Sequence, residues 1–382
     1  MAATVSPPMD KEQLKEAFDI SHFDLNAILR GLQLTLVGAH RALQNPAIFT
    51  SRHYKQAALA VAAGIVIRIA IAIPIIGIRV LLWVLSLFFR LDTVTWDDEI
   101  ISGLNFVEEY VLQIPLFLMA LMRYATPTLD HLFMDSLRWV DLTYVQKHRE
   151  DDPDRLRAMY YPNLSQYPVR DGSTHSSSTA QAVSMFLLRF VRKGLISLAV
   201  FAASYVPYVG RFVLPAASFY TFNRAVGLGP ASLIFGVGIL MPRRYLVVFL
   251  QTYFASRSLV RELLEPYFAR IRFSKQEKRA WFRSREGLLF GFGIGFYVLL
   301  RVPLLGVLVY GIAEASTAYL ITKITDPPPP PPRSAGFAAS QQVWRNKHEF
   351  LNLSFANLDA LHDKPPPYEP ADPMAATTST TP

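Results

Sequence analysis

The chain has 382 residues, a formal net charge of +8 and no cysteine, which excludes a disulfide scaffold, cysteine metal ligands and a thiol nucleophile. Hydrophobic residues make up 51% of the chain and charged residues only 18%, whereas soluble chains carry about 25% charge. The basic residues lie mostly in polar stretches that flank apolar runs, where the Lys and Arg of membrane proteins collect. We therefore do not expect nucleic-acid binding.

The first 56 residues begin with a polar stretch that lacks an early apolar core, so we expect no cleavable signal peptide. From residue 10 to residue 44 the spacing of apolar residues predicts a helix. Its apolar face carries Phe23, Leu25, Ile28, Leu29, Leu32, Leu36 and Leu43. This helix either lies in a membrane interface or packs on a helical bundle.

Four long apolar runs follow, at residues 57–89, 194–222, 230–254 and 287–324. A helix needs about 20 apolar residues to cross a bilayer, and lipid offers no water to satisfy a backbone that is not helical. The sequence therefore predicts an all-α fold, a multi-pass helical membrane bundle with roughly four to six embedded segments.

Changes in composition divide the chain into five regions. They are a cytosolic N-terminal region (1–56), a first membrane region (57–123), a polar loop region (124–193), a second membrane region (194–325) and a Pro-rich cytosolic tail (326–382). Residues 251–286 carry nine Lys or Arg against four Glu and are predicted to form a basic cytosolic loop. The same charge bias predicts that both termini are cytosolic.

A five-residue pattern recurs near the middle of three apolar runs, at residues 73–77, 206–210 and 302–306. It consists of a β-branched residue, a proline, two large apolar residues and a glycine. The helix breakers are Pro74 and Gly77, Pro207 and Gly210, and Pro303 and Gly306. This spacing predicts either the tips of helical hairpins or strong kinks.

Gly287, Gly291 and Gly295 form a GxxxGxxxG array at the start of the last apolar run. Small residues four apart allow two helix backbones to approach closely, so the array predicts a helix-packing face. The sequence does not say whether the partner helix belongs to the same chain, and a homo-oligomer is one arrangement that it allows.

Four arginines lie within or beside the apolar runs: Arg68, Arg79, Arg211 and Arg301. Arginine at membrane depth is typical of a path for anions or lipid headgroups. The alternative is that each arginine lies near a helix end and extends its guanidinium to the interface.

The stretch FRSREGLLFGFGIGFYVLLRVPLLGVLVYGIAEASTAYL (282–320) resembles the last hairpin of the CysZ and etoposide-induced-2.4 superfamily. The phrases LQIPLFLMALMRYATPTLDHLFMDSL and ITDPPPPPPR strengthen a resemblance to fungal UsgS-type transmembrane proteins, which are related to yeast outer-spore-wall and lipid-droplet proteins. The resemblance spans roughly residues 20–360 and implies a multi-pass helical membrane protein with no settled activity. Its bacterial relatives are linked to sulfate uptake.

The tail contains two proline motifs. Residues 327–332 are six consecutive prolines, which predict a stiff polyproline II spacer. Pro365, Pro366 and Tyr368 match the PPxY ligand of WW domains, which predicts a WW-containing ubiquitin ligase as a partner unless the tyrosine falls there by chance. Between them, residues 341–361 carry apolar residues at helical spacing and predict a short amphipathic helix.

The chain lacks the GxSxG elbow of hydrolases and the GxxxxGK[ST] phosphate loop, and we expect neither a cofactor nor an enzyme. The leading functional hypothesis is a non-enzymatic integral membrane protein of the endoplasmic reticulum or lipid-droplet surface. Its partners would be membrane lipids, and its role would be to organise or shape membrane. The alternative is a transporter or channel for a small, sulfate-like anion.

Overall fold

A computed structural model describes residues 24–49, 128–150, 156–169, 243–302 and 306–354, together with isolated helical positions in 62–84 and 184–236. Every regular element among them is a helix, which confirms the predicted all-α class. Within these same residues, no helix has both the length and the apolar character needed to cross a membrane.

Ten α-helices are described in chain order. They are α1 (Leu25–Leu43), α2 (Thr128–Lys147), α3 (Tyr161–Leu164), α4 (Arg243–Leu263), α5 (Glu265–Arg270), α6 (Lys275–Ser284), α7 (Glu286–Leu300), α8 (Gly306–Ile324), α9 (Phe337–Ser340) and α10 (Lys347–Asn352). Two short 3-10 helices add Pro46–Phe49 and Pro331–Arg333. Helix α7 lies at the centre and contacts α1, α4 and α8, while α8 also packs on α1 and α2.

Helix α1 packs on the bundle through its small residues. Its N-terminus is capped by Asp24, whose carboxylate accepts a hydrogen bond of 2.9 Å from the Asn26 amide. The buried face consists of Ala27, Gly31, Leu34, Thr35, Gly38 and Ala42.

The leucine face of α1 points away from the bundle, opposite to what packing through the apolar residues would produce. Leu25, Leu29, Leu36 and Leu43 are 70%, 50%, 66% and 47% exposed. The physical reason is the close approach of α7 at Gly31, which leaves room only for small side chains at the crossing point itself.

This close approach centres on Gly31 of α1 and Gly291 of α7. A Cβ atom added to Gly31 would lie only 2.6 Å from the Phe292 nitrogen, and one added to Gly291 would clash with the Ile28 carbonyl oxygen. The predicted glycine array therefore lies, at Gly291, against another helix of the same chain.

One further contact extends the crossing, and another joins α7 to α4. A Cβ atom on Gly295 would lie 2.5 Å from the Thr35 hydroxyl, which in turn donates a hydrogen bond of 3.2 Å to the Phe292 carbonyl. Gly293 lies on the other side of α7, where an added Cβ would be 2.7 Å from the Ser256 carbonyl oxygen of α4. Gly287 is buried.

The predicted basic loop 251–286 contains regular structure, because it comprises the end of α4 followed by α5 and α6. Its cytosolic location stays a prediction. Tyr267 and Trp281 are fully buried, because aromatic residues at helical spacing face the bundle while many of the charged residues stay outside. Ser274 and Glu277 form a capping box that starts α6.

The predicted polar loop region 124–193 also contains core structure. Helix α2 buries Phe133 and Leu137, and the segment around α3 buries Tyr160 and Leu164. Periodic apolar residues within a stretch of high charge account for this difference from the expectation.

The third Pro-Gly pattern lies where α7 gives way to α8. Helix α7 ends at Leu300 and α8 begins at Gly306, where an added Cβ would be 2.9 Å from the Leu300 carbonyl oxygen. Pro303 lies outside the described residues. So do Pro74, Pro207 and Gly210, whereas Gly77 is a described helical position.

The tail up to residue 354 packs onto the helical core, so the prolines are not a spacer that projects from it. Phe337, Trp344, Phe350 and Leu351 join the main hydrophobic cluster. The predicted amphipathic helix 341–361 appears as the shorter α10, with Trp344 preceding it, and residues beyond 354 lie outside the described part.

We predict that Gly291→Ala destabilises the protein, because the added methyl group forces α1 and α7 apart at a cost of about 1–3 kcal/mol. Gly311→Ala is the matched control, since a Cβ there meets only Leu132 at 3.6 Å in ordinary contact. Thermal unfolding of the purified chain measures both. Equal melting temperatures for the two variants would contradict the close crossing.

Candidate functional site

A buried arginine organises the most polar part of the interior. Arg285 lies between α6 and α7 and is 2% exposed. Its Nε donates to the Ile324 carbonyl at 2.8 Å and its Nη1 donates to the Gln341 carbonyl at 3.0 Å. Since Ile324 is the last residue of α8, the guanidinium places its charge at the negative end of that helix.

Other side chains converge on the same helix end. The Tyr160 hydroxyl donates to the Thr325 carbonyl at 2.5 Å. The Gln341 side-chain amide donates to the Asp326 carboxylate at 2.6 Å, and the Asp326 amide donates back to Gln341 at 3.1 Å. We call Arg285, Tyr160, Asp326 and Gln341 the α8 cap.

Burial sets the electrostatics of the α8 cap. Removal from water lowers the pKa of the Arg285 guanidinium to about 9, against the opposing influence of Tyr267 and Asp326. The group therefore remains charged at neutral pH. Its ring contact with Trp281, at 4.7 Å from the guanidinium carbon to the ring centroid, adds a cation–π attraction.

A small polar cleft, partly open to solvent, lies beside the α8 cap. Lys323, Trp344 and Arg345 contribute to its lining together with Arg285. The Lys323 ammonium lies 5.0 Å from the centroid of the Tyr319 ring. Two of these cations are thus held by carbonyl groups and rings of the chain itself, which is the pattern of a structural cap.

A second charged cluster joins α4 to the start of α7. The Tyr253 hydroxyl donates to the Glu286 carboxylate at 2.8 Å, and Arg257 forms an ion pair with the same carboxylate. Glu286 lies in the first turn of α7, where a negative charge is stabilised by the helix dipole.

A third cluster joins α2 to the segment before α3. Asp141 forms an ion pair of 3.0 Å with Arg157 and accepts a hydrogen bond of 2.7 Å from the Tyr161 amide. Burial raises the pKa of the Asp141 carboxyl, and the nearby Arg157 partly offsets that rise. The Arg157 guanidinium also lies over the rings of Tyr144 and Tyr160.

All three clusters connect different helices, and each charged group bonds a carbonyl, an amide or an opposite charge. In the described ranges, no group of three or more His, Asp or Glu residues is placed to hold a metal ion. Sequence patterns did not indicate Arg285 as a special residue, because its partners Ile324 and Gln341 are 39 and 56 positions away.

Of the four predicted membrane-depth arginines, the structure describes Arg301. It is exposed at the C-terminal end of α7, where its Nη2 donates to the Tyr297 hydroxyl at 3.1 Å. Arg68, Arg79 and Arg211 lie outside the described residues, as do Pro365, Pro366 and Tyr368 of the predicted WW ligand. The anion path and the WW partner therefore remain predictions.

No protein-family model, curated protein or solved structure matches this chain. The resemblance to UsgS-type and CysZ-like proteins likewise remains a prediction.

We predict that Arg285→Met lowers the free energy of unfolding by about 2–4 kcal/mol, because it leaves buried carbonyl oxygens of α8 and of the tail without a donor. Arg283→Met is the control, since Arg283 is exposed on the preceding helix. Denaturant unfolding of both variants provides the measurement. A loss as large for Arg283→Met as for Arg285→Met would contradict a capping role.

Proposed function

We propose that this chain is an integral membrane protein of the endomembrane system or the lipid-droplet surface, with a non-enzymatic role in organising or shaping membrane. The observation that carries the proposal is the outward leucine face of α1. The proposal adopts the predicted multi-pass helical arrangement, with both termini in the cytosol.

The packing of α1 supports contact with lipid on its outer side. Water would favour burial of its leucines, whereas lipid tails solvate leucine as well as a protein interior does. In lipid, close backbone packing and hydrogen bonds between helices become the main attractions. The Gly31–Gly291 crossing and the Thr35 hydrogen bond to Phe292 provide both kinds of attraction.

The interior supports the same environment. Ser256, Glu314, Ser316 and Thr317 are fully buried, while Val298, Leu299 and Leu308 at the α7–α8 end are exposed. The Ser316 and Thr317 hydroxyls donate to carbonyls one turn earlier, at 2.6 and 2.8 Å, which satisfies them inside the bundle. Polar side chains inside and aliphatic ones outside are typical of proteins surrounded by lipid.

A shaping role follows from the two-sided character of α1. Its outer side carries leucines at positions 25, 29, 36 and 43, with the exposed His40 one turn after Leu36, and the half-buried Arg30 borders this side. A helix of this kind lies at the boundary between headgroups and acyl chains and expands one leaflet. Because α1 is fixed to α7 by glycine packing, the bundle would hold that wedge at a constant angle.

The test uses the full chain reconstituted into vesicles of neutral and anionic phospholipid. We predict that the parent chain resists alkaline carbonate extraction and reduces the mean diameter of the vesicles. Leu29→Glu with Leu36→Glu should keep the chain in the membrane but make this reduction in diameter about tenfold smaller. The reason is that burial of each leucine in lipid contributes about 1.5–3 kcal/mol to insertion of α1.

Gln44→Glu with Gln276→Glu, which adds the same two negative charges at exposed positions off the leucine face, is the control. Recovery of the parent chain in the carbonate supernatant would contradict membrane integration. An equal reduction in diameter by the leucine variant and the parent would contradict the shaping role of α1 while leaving integration intact.

A further inference from the structure

The six-proline segment is bound by side chains that lie more than 150 positions earlier in the chain. The Asn163 side-chain amide donates to the Pro328 carbonyl at 2.8 Å, and the Tyr167 hydroxyl donates to the Pro329 carbonyl at 2.6 Å. Pro327 and Pro328 are buried. A tyrosine hydroxyl and a side-chain amide thus donate hydrogen bonds to successive proline carbonyls, and proline-binding grooves use the same kind of contact.

The end of the segment departs from polyproline geometry. Pro330 has φ −57° and ψ 148°, which are polyproline II values. The following residues turn sharply into the 3-10 helix Pro331–Arg333, in which the Arg333 amide donates to the Pro330 carbonyl at 2.8 Å. The Ser334 hydroxyl reinforces this turn by donating to the Pro331 carbonyl at 2.7 Å.

Pro328, Pro331 and Arg333 have the spacing Pro-x-x-Pro-x-Arg. In a polyproline II helix, with three residues per turn, the two prolines lie on one edge and present themselves to an aromatic groove of the SH3 type. The arginine two residues further on then reaches an acidic pocket, with which its guanidinium forms charge-assisted hydrogen bonds. Arg333 is exposed in the structure, whereas Pro328 is not.

We propose that residues 328–333 are a ligand for an SH3-type domain with an acidic pocket, and that Asn163 and Tyr167 keep this ligand closed within the chain. Two features of the closed state prevent binding. The Pro328 and Pro329 carbonyls are occupied and Pro328 is buried, and the turn at Pro331–Arg333 keeps the arginine out of register with the prolines.

This inference goes beyond the proposed membrane role and does not depend on it. It is also separate from the predicted WW ligand at Pro365, Pro366 and Tyr368, which has a different spacing. The surface that holds the prolines lies on and after α3, which the Asp141–Arg157 cluster ties to α2. The ligand can therefore be released without unfolding the bundle.

The test measures the affinity of an isolated SH3 domain that selects Pro-x-x-Pro-x-Arg peptides. Its targets are a synthetic peptide of residues 326–334 and the full chain in detergent. We expect the peptide to bind, and the parent chain to bind at least tenfold more weakly. Asn163→Ala with Tyr167→Phe should bind the SH3 domain about 10- to 30-fold more tightly than the parent chain, because two hydrogen bonds that hold the prolines are removed.

Two controls assign the effect. Tyr161→Phe changes a tyrosine of α3 that makes no hydrogen bond to the described prolines, and it should bind as weakly as the parent. Arg333→Glu in the released double variant should abolish binding. A melting curve checks that the double variant is folded; if it is not, Tyr167→Phe alone decides, with an expected gain of about threefold to tenfold.

Three results would overturn the inference. The peptide could fail to bind, so that the segment is no ligand. The parent chain could bind the SH3 domain as tightly as the peptide does, which would show that the folded chain does not block residues 328–333. A folded release variant could bind as weakly as the parent, so that Asn163 and Tyr167 do not hold the prolines.

Discussion

The contact between Gly31 and Gly291 determines how α1 lies on the rest of the bundle. Two backbones approach so closely there that a single methyl group on either glycine would overlap the other helix. This approach selects the small-residue face of α1 for packing and turns Leu25, Leu29 and Leu36 outward. The apolar exterior is thus a direct consequence of the crossing, and the membrane role we propose rests on that exterior.

The attachment of the tail to the bundle depends on the C-terminal end of α8. The α8 cap fastens the chain after Thr325 to the bundle, because Arg285 bonds both the last turn of α8 and the tail at Gln341. From this anchor the proline segment runs along α3, and the tail then returns to α1, where Arg30 and Asn26 donate to the Leu351 carbonyl. The tail is therefore attached to the bundle at three places: the α8 cap, α3 and α1. Release of the prolines from α3 would leave the other two attachments in place.

The sequence predicts the all-α class and the existence of α1 correctly, since both follow from local periodicity. Of the two placements that the sequence allows for the leucine face of α1, packing on the bundle is not the one observed, because the close crossing with α7 selects the small-residue face. Within the basic stretch 251–286, the Ser-x-x-Glu box at Ser274 is a local signal that marks the start of α6. The α8 cap and the docked prolines could not be foreseen, since their partners are distant in sequence.

The absence of cysteine from the chain allows the most direct test of the outward leucine face. A single nitroxide label is attached at Leu36→Cys in the vesicle-reconstituted protein, and its collisions with oxygen and with a water-soluble nickel complex are compared with those of a label at Arg283→Cys, which is exposed on α6. The account predicts high oxygen and low nickel accessibility at position 36, and the reverse at position 283. High nickel accessibility at position 36 would show that the leucine face is in water and would contradict the account.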